Sequence, residues 1–321
     1  RNQKMAKHYD EAEKRYIEAQ GRFDETTSAF LARELTHIRA QVLQVKKAPL
    51  NAFSVFPVQT DIPEGAESAL LRIFDEVGMA EIISNYADDL PRADVLAKET
   101  AVKVYTAGAA YGFNEVEIKN AAFAGRSLSA LKAQAARMSI DRKLNNLAWF
   151  GDKVNGIVGF LANPNIGEYT IPANAKGTTL IKDMTEDEVL AMFNAFLDFI
   201  PDKTNDVEQP NTVLLPPAAY AHLATTRLSQ TETTLLHFLQ QVHPEITRWM
   251  KVGELRAAGT GGKDMMIAGY FDPTYIKLEI PNRFQQLPVD RRNLEYVVDC
   301  ISRCVGVTVA IPFAFVKAVG C

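Results

Sequence analysis

The stretch from Val55 to Pro164 constrains the chain most. It runs from alternating apolar and polar residues, through a polar turn, into one long helical pattern closed by Trp149-Phe150-Gly151-Asp152. Val102, Val104 and Thr106 alternate with Lys103 and Tyr105, the period-two signature of a strand with one covered face. Ala66 to Phe74 reads as an earlier strand, with Leu71 and Ile73 on one face, and Ala101 to Tyr111 as its return. Asp75 to Tyr86 fits strand or helix. Between the two strands, Tyr86-Ala87-Asp88-Asp89-Leu90-Pro91-Arg92 is turn chemistry. Two extended runs around a polar tip make a long hairpin with little apolar surface of its own, so it projects.

The helices carry start and stop signals. Asn114 caps a helix to about Ala124, with Glu115 and Glu117 at its positive end, and Gly125 ends it. Ser127 then caps the longest helix of the body, to about Phe150. Its stripe is Leu128, Leu131, Ala135 and Met138, widened by Ile140, Leu144, Leu147 and Trp149. Lys132, Arg137, Arg142 and Lys143 make another face basic. Thr185 and Glu188 form a capping box ahead of Val189, Met192, Phe193, Phe196 and Leu197. Thr212 to Leu215 is a strand stopped by Pro216-Pro217. Helices near 218–226 and 231–242 follow, then strands near 248–252, 264–270 and 274–280. Asn293 to Val319 is β-rich, and Pro312 divides it between two sheets, because proline cannot continue a central strand.

Towards the N-terminus, residues 53 to 60 read as extended, with Pro57 marking a sheet edge. Residues 2 to 47 read as helix, densely charged through Arg22. Leu31, Leu35, Ile38, Val42 and Val45 then fall at spacings of four, three, four and three, a narrow seam that suits a strip of partner surface. An arm with one thin seam lies across its own domain or a neighbour.

Composition excludes several classes. The chain has 321 residues, 47% hydrophobic, with a net charge of -4 and interspersed signs. That supports a sizeable core and argues against a dedicated nucleic-acid binder, which carries a basic face. No apolar run reaches the length of a membrane span and no secretory signal is visible. Cys300, Cys304 and Cys321 are odd in number and form no Cys-x-x-Cys pair, so a disulfide framework is not expected. Cys300 and Cys304 read as small buried hydrophobes, and reduced thiols suit a cytoplasm.

Motifs for chemistry fail on inspection. Gly259-Thr260-Gly261-Gly262-Lys263-Asp264 lacks the leading glycine of a phosphate-binding loop, where Ala257 stands, and its Ser or Thr, where Asp264 stands. His8, His37, His222, His237 and His243 have no metal spacing. Asp88 and Asp89 are adjacent on a turn and point apart. No Gly-x-Ser-x-Gly elbow occurs. No catalytic, cofactor or metal site is expected.

The Ala148–Asp152 block, the Gly156–Leu161 block with Asn163-Pro164, and the order of arm, hairpin, long helix, compact α/β region and returning strands together resemble the tailed-phage major capsid proteins. Their Hong Kong 97-type fold is shared with encapsulins. The resemblance implies an α+β capsid fold. Its parts are an N-terminal arm over 1–55, an extended loop over 56–112, and a peripheral domain over 113–155 and 282–311 with spine helix 127–150. An axial domain over 156–281 and 312–321 completes it. It implies a non-enzymatic protein that self-assembles into hexamers and pentamers of an icosahedral phage head, inside a bacterial cytoplasm. Implied partners are copies of itself, portal, scaffold or decoration proteins, and packaged double-stranded DNA touched nonspecifically on the inner face, with no membrane. The expected subunit contacts are Leu31, Leu35, Ile38 and Val42 on the arm and Asp88, Asp89 and Arg92 at the hairpin tip. Lys98 and Lys103 are candidate donors for the Lys–Asn cross-links some members form. Arg1 in first position fits either missing residues or the N-terminal trimming some members undergo. An encapsulin-like cargo shell and an α+β enzyme are the alternatives.

Overall fold

The computed structural model describes residues 47–77, 94–117, 119, 128–229 and 231–321. Its first element is a single helical turn, α1 (Ala52–Val55), where an extended segment is expected from sequence. The reason is burial. One turn carries Ala52, Val55 and Phe56 into the core together, which an alternating strand cannot do. Pro57 then admits a two-residue strand, β1 (Val58–Gln59), at the edge of a three-stranded sheet, paired in parallel with Leu278 and Glu279.

The hairpin follows. Strands β2 (Ser68–Val77) and β3 (Asp94–Lys103) pair antiparallel from Ser68↔Lys103 to Val77↔Asp94. At Val104 the chain changes partners. Val104 is buried and donates its N–H to Glu67 O at 2.9 Å. The next strand, β4 (Tyr105–Asn114), pairs along its whole length with Glu295–Cys304. The run Ala101–Tyr111 is therefore not one return strand. Alternation passes unbroken through Val102, Val104 and Thr106, so periodicity records the strand but not the change of partner.

Asn114 Oδ1 accepts from Val116 N–H at 3.1 Å and opens a helical turn at 115–117. The long helix α2 spans Leu128–Trp149. Its buried face is Ala136, Ile140, Leu144, Leu147, Ala148 and Trp149, while Leu131 and Ala135 are exposed. The stripe read from sequence is thus displaced by about one position over its first half. Leucine identity, not packing, drew it there. A short hairpin, β5 (Gly151–Asp152) with β6 (Ile157–Val158), follows the helix.

The rest of the chain builds β7 (Gly167–Tyr169), α3 (Glu186–Thr204) and β8 (Thr212–Leu215). Then come α4 (Pro217–Thr225), α5 (Leu235–Val242), β9 (Arg248–Lys251) and β10 (Met265–Gly269). Strands β11 (Ile276–Glu279), β12 (Asn282–Gln286), β13 (Asp290–Arg292), β14 (Glu295–Cys304), β15 (Gly306–Val309) and β16 (Phe315–Val319) close it. The capping box is present: Thr185 Oγ1 accepts from Glu188 N–H, and the Glu188 carboxylate accepts from Thr185 N–H at 2.8 Å. Before Pro312, β14 and β15 belong to the four- and three-stranded sheets; after it, β16 belongs to the five-stranded sheet.

The five-stranded sheet, in order β7-β16-β10-β8-β9, is covered on both faces. Leu214, Met265, Ile267 and Phe315 pack toward α1 and the end of α2. Val213, Leu215, Met266, Ala268, Val316 and Ala318 pack with Val189, Met192, Phe193 and Phe196 of α3 and with Leu223 and Leu239. Burial on two sides is why these strands read as continuous apolar runs. Within the first of these cores, Phe56, Trp149, Phe160, Phe271 and Phe315 pack ring against ring with centroids 4.8–6.2 Å apart. Glu254 ties the start of α1 to α2. Its carboxylate accepts from Asn51 Nδ2 at 2.6 Å and Asn145 Nδ2 at 3.0 Å, while Asn145 Oδ1 accepts from Ala52 N–H at 2.9 Å.

Candidate assembly surfaces

The first surface is the β2–β3 hairpin. Strands β2 and β3 form a two-stranded sheet of their own. Among the described residues no third strand pairs with it, and an isolated two-stranded ribbon is marginal in water. Leu70 on β2 is 60% exposed.

A second surface lies at the turn between β12 and β14. Leu287, Val289 and Leu294 are exposed there, and all of β13 is exposed. Arg292 Nε meets Asp290 at 3.1 Å, and the Arg291 guanidinium lies 5.6 Å from the Tyr296 ring centroid. An apolar centre with charges around it is the anatomy of a protein contact. The signal in the sequence is Leu287-Pro288-Val289, three apolar residues directly ahead of a charged turn.

The third surface is the β5–β6 hairpin. Gly151 has a φ of 72°, and an added Cβ on it or on Gly159 would fall 2.2–2.3 Å from opposing backbone. Glycine is required by this close approach. Asp152 organises the turn, accepting from Val154 N–H, Asn155 Nδ2 and Lys143 Nζ at 3.0–3.1 Å. Hydrogen bonds from Asn155 and then Lys143 hold its carboxyl below the usual carboxylate range. Phe150, Val154 and Val158 are left exposed around it.

A groove of about 790 Å³ opens beside the 3₁₀ turn at Thr260–Gly262, lined by Thr178, Thr179, Lys182, His222, Lys263 and Cys321 among others. Its chemistry is quiet. Gly259 N–H donates to Lys263 O at 2.9 Å, so that loop amide closes on its own turn. Burial first, and the Asp264 charge second, push the Cys321 thiol up to about 12, which keeps it protonated. Among the described residues no cluster of His, Cys, Asp and Glu could hold a metal ion, and no helix is long and apolar enough to cross a membrane.

Of the contact residues expected from sequence, Leu31, Leu35, Ile38, Val42, Asp88, Asp89 and Arg92 all lie outside the described residues. Sequence reasoning missed Leu70, Val154, Leu287, Val289, Leu294 and Phe313, whose exposure only the fold decides.

Exposed apolar side chains are what these surfaces share. A family model described as "Major capsid protein" matches residues 78–320. The chain belongs to the major capsid protein family, the Hong Kong 97-type shell proteins of tailed phages, to which encapsulin-like shells are related. The family is structural and not catalytic, and its members are virion components assembled within the host cell. Among solved structures, the capsid of Myoviridae phage XM1 is 18% identical, covering 92% of this chain and 99% of that one with a TM-score of 0.76. The capsid of a native GTA particle is 10% identical over 92% and 99%, with a TM-score of 0.64. A virus-like particle from Pyrococcus furiosus is 12% identical over 83% and 90%, with a TM-score of 0.52. At these identities the likeness is one of fold, the α+β capsid fold. No curated protein matches the chain.

Proposed function

We propose that this chain is the head-forming protein of a tailed double-stranded DNA phage, and that its copies form hexamers and pentamers which close an icosahedral shell. The β2–β3 ribbon carries the reading. It spans ten paired residues on each strand and pairs with no third strand among the described residues, so a neighbouring subunit is its natural support. The division proposed is an arm over 1–55, an extended loop over 56–112, a peripheral domain over 113–155 and 282–311, and an axial domain over 156–281 and 312–321. Leu31, Leu35, Ile38 and Val42 on the arm, with Asp88, Asp89 and Arg92 at the loop tip, are proposed subunit contacts. Each contact is weak, and closure multiplies them. Portal, scaffold or decoration proteins are proposed partners at the shell, and packaged DNA meets the inner face without sequence preference.

The test is electron microscopy of the full chain beside a variant shortened between Ile83 and Val95. The full chain should form rings or closed shells. The shortened chain should keep its circular dichroism spectrum and melting transition yet stall at small oligomers. Normal shells from the shortened chain would remove the ribbon from the mechanism. Small shells that co-purify a cargo enzyme would instead establish the encapsulin-like reading.

A further inference from the structure

The tip of the β5–β6 hairpin carries the one Asn–Gly step in the sequence, Asn155–Gly156. Asparagine before glycine is chemically labile, since the next amide nitrogen, unhindered by a Cβ, reaches the side-chain carbonyl carbon. The fold leaves this step open. Both residues are exposed, and a Cβ added to Gly156 would meet nothing within 4 Å. The Gly156 N–H makes a 3.4 Å turn contact with Lys153 O, too long to lock the nitrogen as a ladder bond does.

Tyr105 supplies the specific feature. Its hydroxyl donates to the Asn155 backbone carbonyl at 2.5 Å. That carbonyl and the Gly156 nitrogen belong to one conjugated peptide group. A donor on the oxygen therefore stabilises negative charge as the nitrogen gives up its proton. Tyr105 opens β4, fifty positions away in sequence, so the fold alone brings it here.

We propose that Asn155 is a deamidation site, converted in the folded chain to aspartate and isoaspartate, and that Tyr105 promotes the conversion. The Gly156 nitrogen loses its proton and bonds to Asn155 Cγ. The Cγ–Nδ2 bond breaks and the amide nitrogen leaves with a third proton as ammonia. Water opens the resulting succinimide. Attack at Cγ gives aspartate, and attack at the backbone carbonyl carbon gives isoaspartate. The sum is amide plus water to carboxylate plus ammonium, with no change of oxidation state.

The product alters the turn. Asn155 Nδ2 donates to Asp152 Oδ2 at 3.0 Å, the oxygen that Lys143 Nζ also holds at 3.1 Å. A carboxylate at 155 replaces that donor with a second negative charge beside one lysine. Isoaspartate lengthens the backbone of a hairpin whose other end is fixed by the Gly151–Gly159 approach. Both products loosen the tip carrying Val154. None of this depends on the shell reading.

The test follows position 155 by peptide mass spectrometry and isoaspartate assay. The full chain is held in mildly alkaline buffer, native or in urea, with Tyr105→Phe and Asn155→Gln variants beside it. The native chain should convert at no less than about one tenth of the rate in urea, and Tyr105→Phe several-fold more slowly than native. Asn155→Gln should show no conversion there. A native rate below that tenth overturns the site whatever the variants do. A folded Tyr105→Phe chain converting as fast as native overturns the role of Tyr105.

Discussion

Gly159 and Gly151 meet backbone to backbone at the exit of the long helix. A Cβ on Gly159 would sit 2.2 Å from the Gly151 nitrogen and 2.6 Å from Trp149 O. The Trp149 ring lies in the aromatic group of the core that α1 and α2 share, so this contact sets where the helix hands over to the rest of the chain.

Gly159→Ala should therefore destabilise the unassembled subunit by about 3 kcal/mol or more, since every clashing atom is backbone and cannot rotate away. Gly156→Ala is the control. It has a φ of 73° but open space around it, so the cost should be about 1–2 kcal/mol from conformation alone. Urea denaturation of both variants should give that ranking. Equal losses would show that the close approach contributes nothing.

Glu254→Ala removes the acceptor shared by Asn51 and Asn145. Three donors, the Asn51 backbone N–H and the two side-chain amides, then lose their partner in a half-buried site, at a cost of about 2–3 kcal/mol. Glu254→Gln keeps one acceptor oxygen and should lose less. The same denaturation measurement checks both, and a neutral Glu254→Ala would mean water replaces the carboxylate without penalty.

Acid should weaken the start of α3. The backbone N–H of Thr185, then that of Ala175, hold the Glu188 carboxyl below its ordinary value of 4.5. A folded value below the unfolded one stabilises the fold above the unfolded value, and that contribution disappears as pH falls through the folded value. Glu188→Gln should lower the melting temperature at neutral pH and flatten its decline below pH 4.5. A variant with the parent's acid slope would assign the decline to other carboxylates.

The thiols predict the opposite limb. Burial pushes Cys304 up to about 11 and Cys321 up to about 12, against an ordinary 9.0. A raised folded value stabilises the fold below the unfolded value and is lost as pH rises through the folded one. Cys304 and Cys321 should resist alkylation at neutral pH until urea unfolds the chain, and melting should weaken above pH 9. Rapid labelling of the native protein would show that these sites open locally.

Much of this architecture was legible because it rests on local chemistry. The Thr185–Glu188 box, the Pro216-Pro217 stop after β8 and the division at Pro312 are each set by residues a few positions apart. Errors arose where distant partners decide. Residues 52–55 are helical because Glu254 and Asn145 hold their start. The Leu131 stripe fails because Leu131 and Ala135 are exposed, while neighbouring Lys132 reaches Gly112 O and the Phe113 ring on β4. The partner change at Val104 is silent in alternation. The subunit contacts were the least legible, since the exposure of Leu70 or Leu294 is a property of the folded surface.

Leu70 gives the sharpest test of that surface. It is 60% exposed on β2, opposite the exposed Ala101. Leu70→Asp should change subunit stability by no more than about 0.5 kcal/mol, as for other surface positions. If a neighbouring subunit covers it, burial contributes about 1.5–3 kcal/mol at each contact. Each 1.4 kcal/mol is about tenfold in affinity, so the concentration at which shells appear should rise at least about tenfold. Light scattering against concentration reads this directly. The same onset for Leu70→Asp and the parent would leave Leu70 facing solvent in the shell and remove it from the subunit contacts.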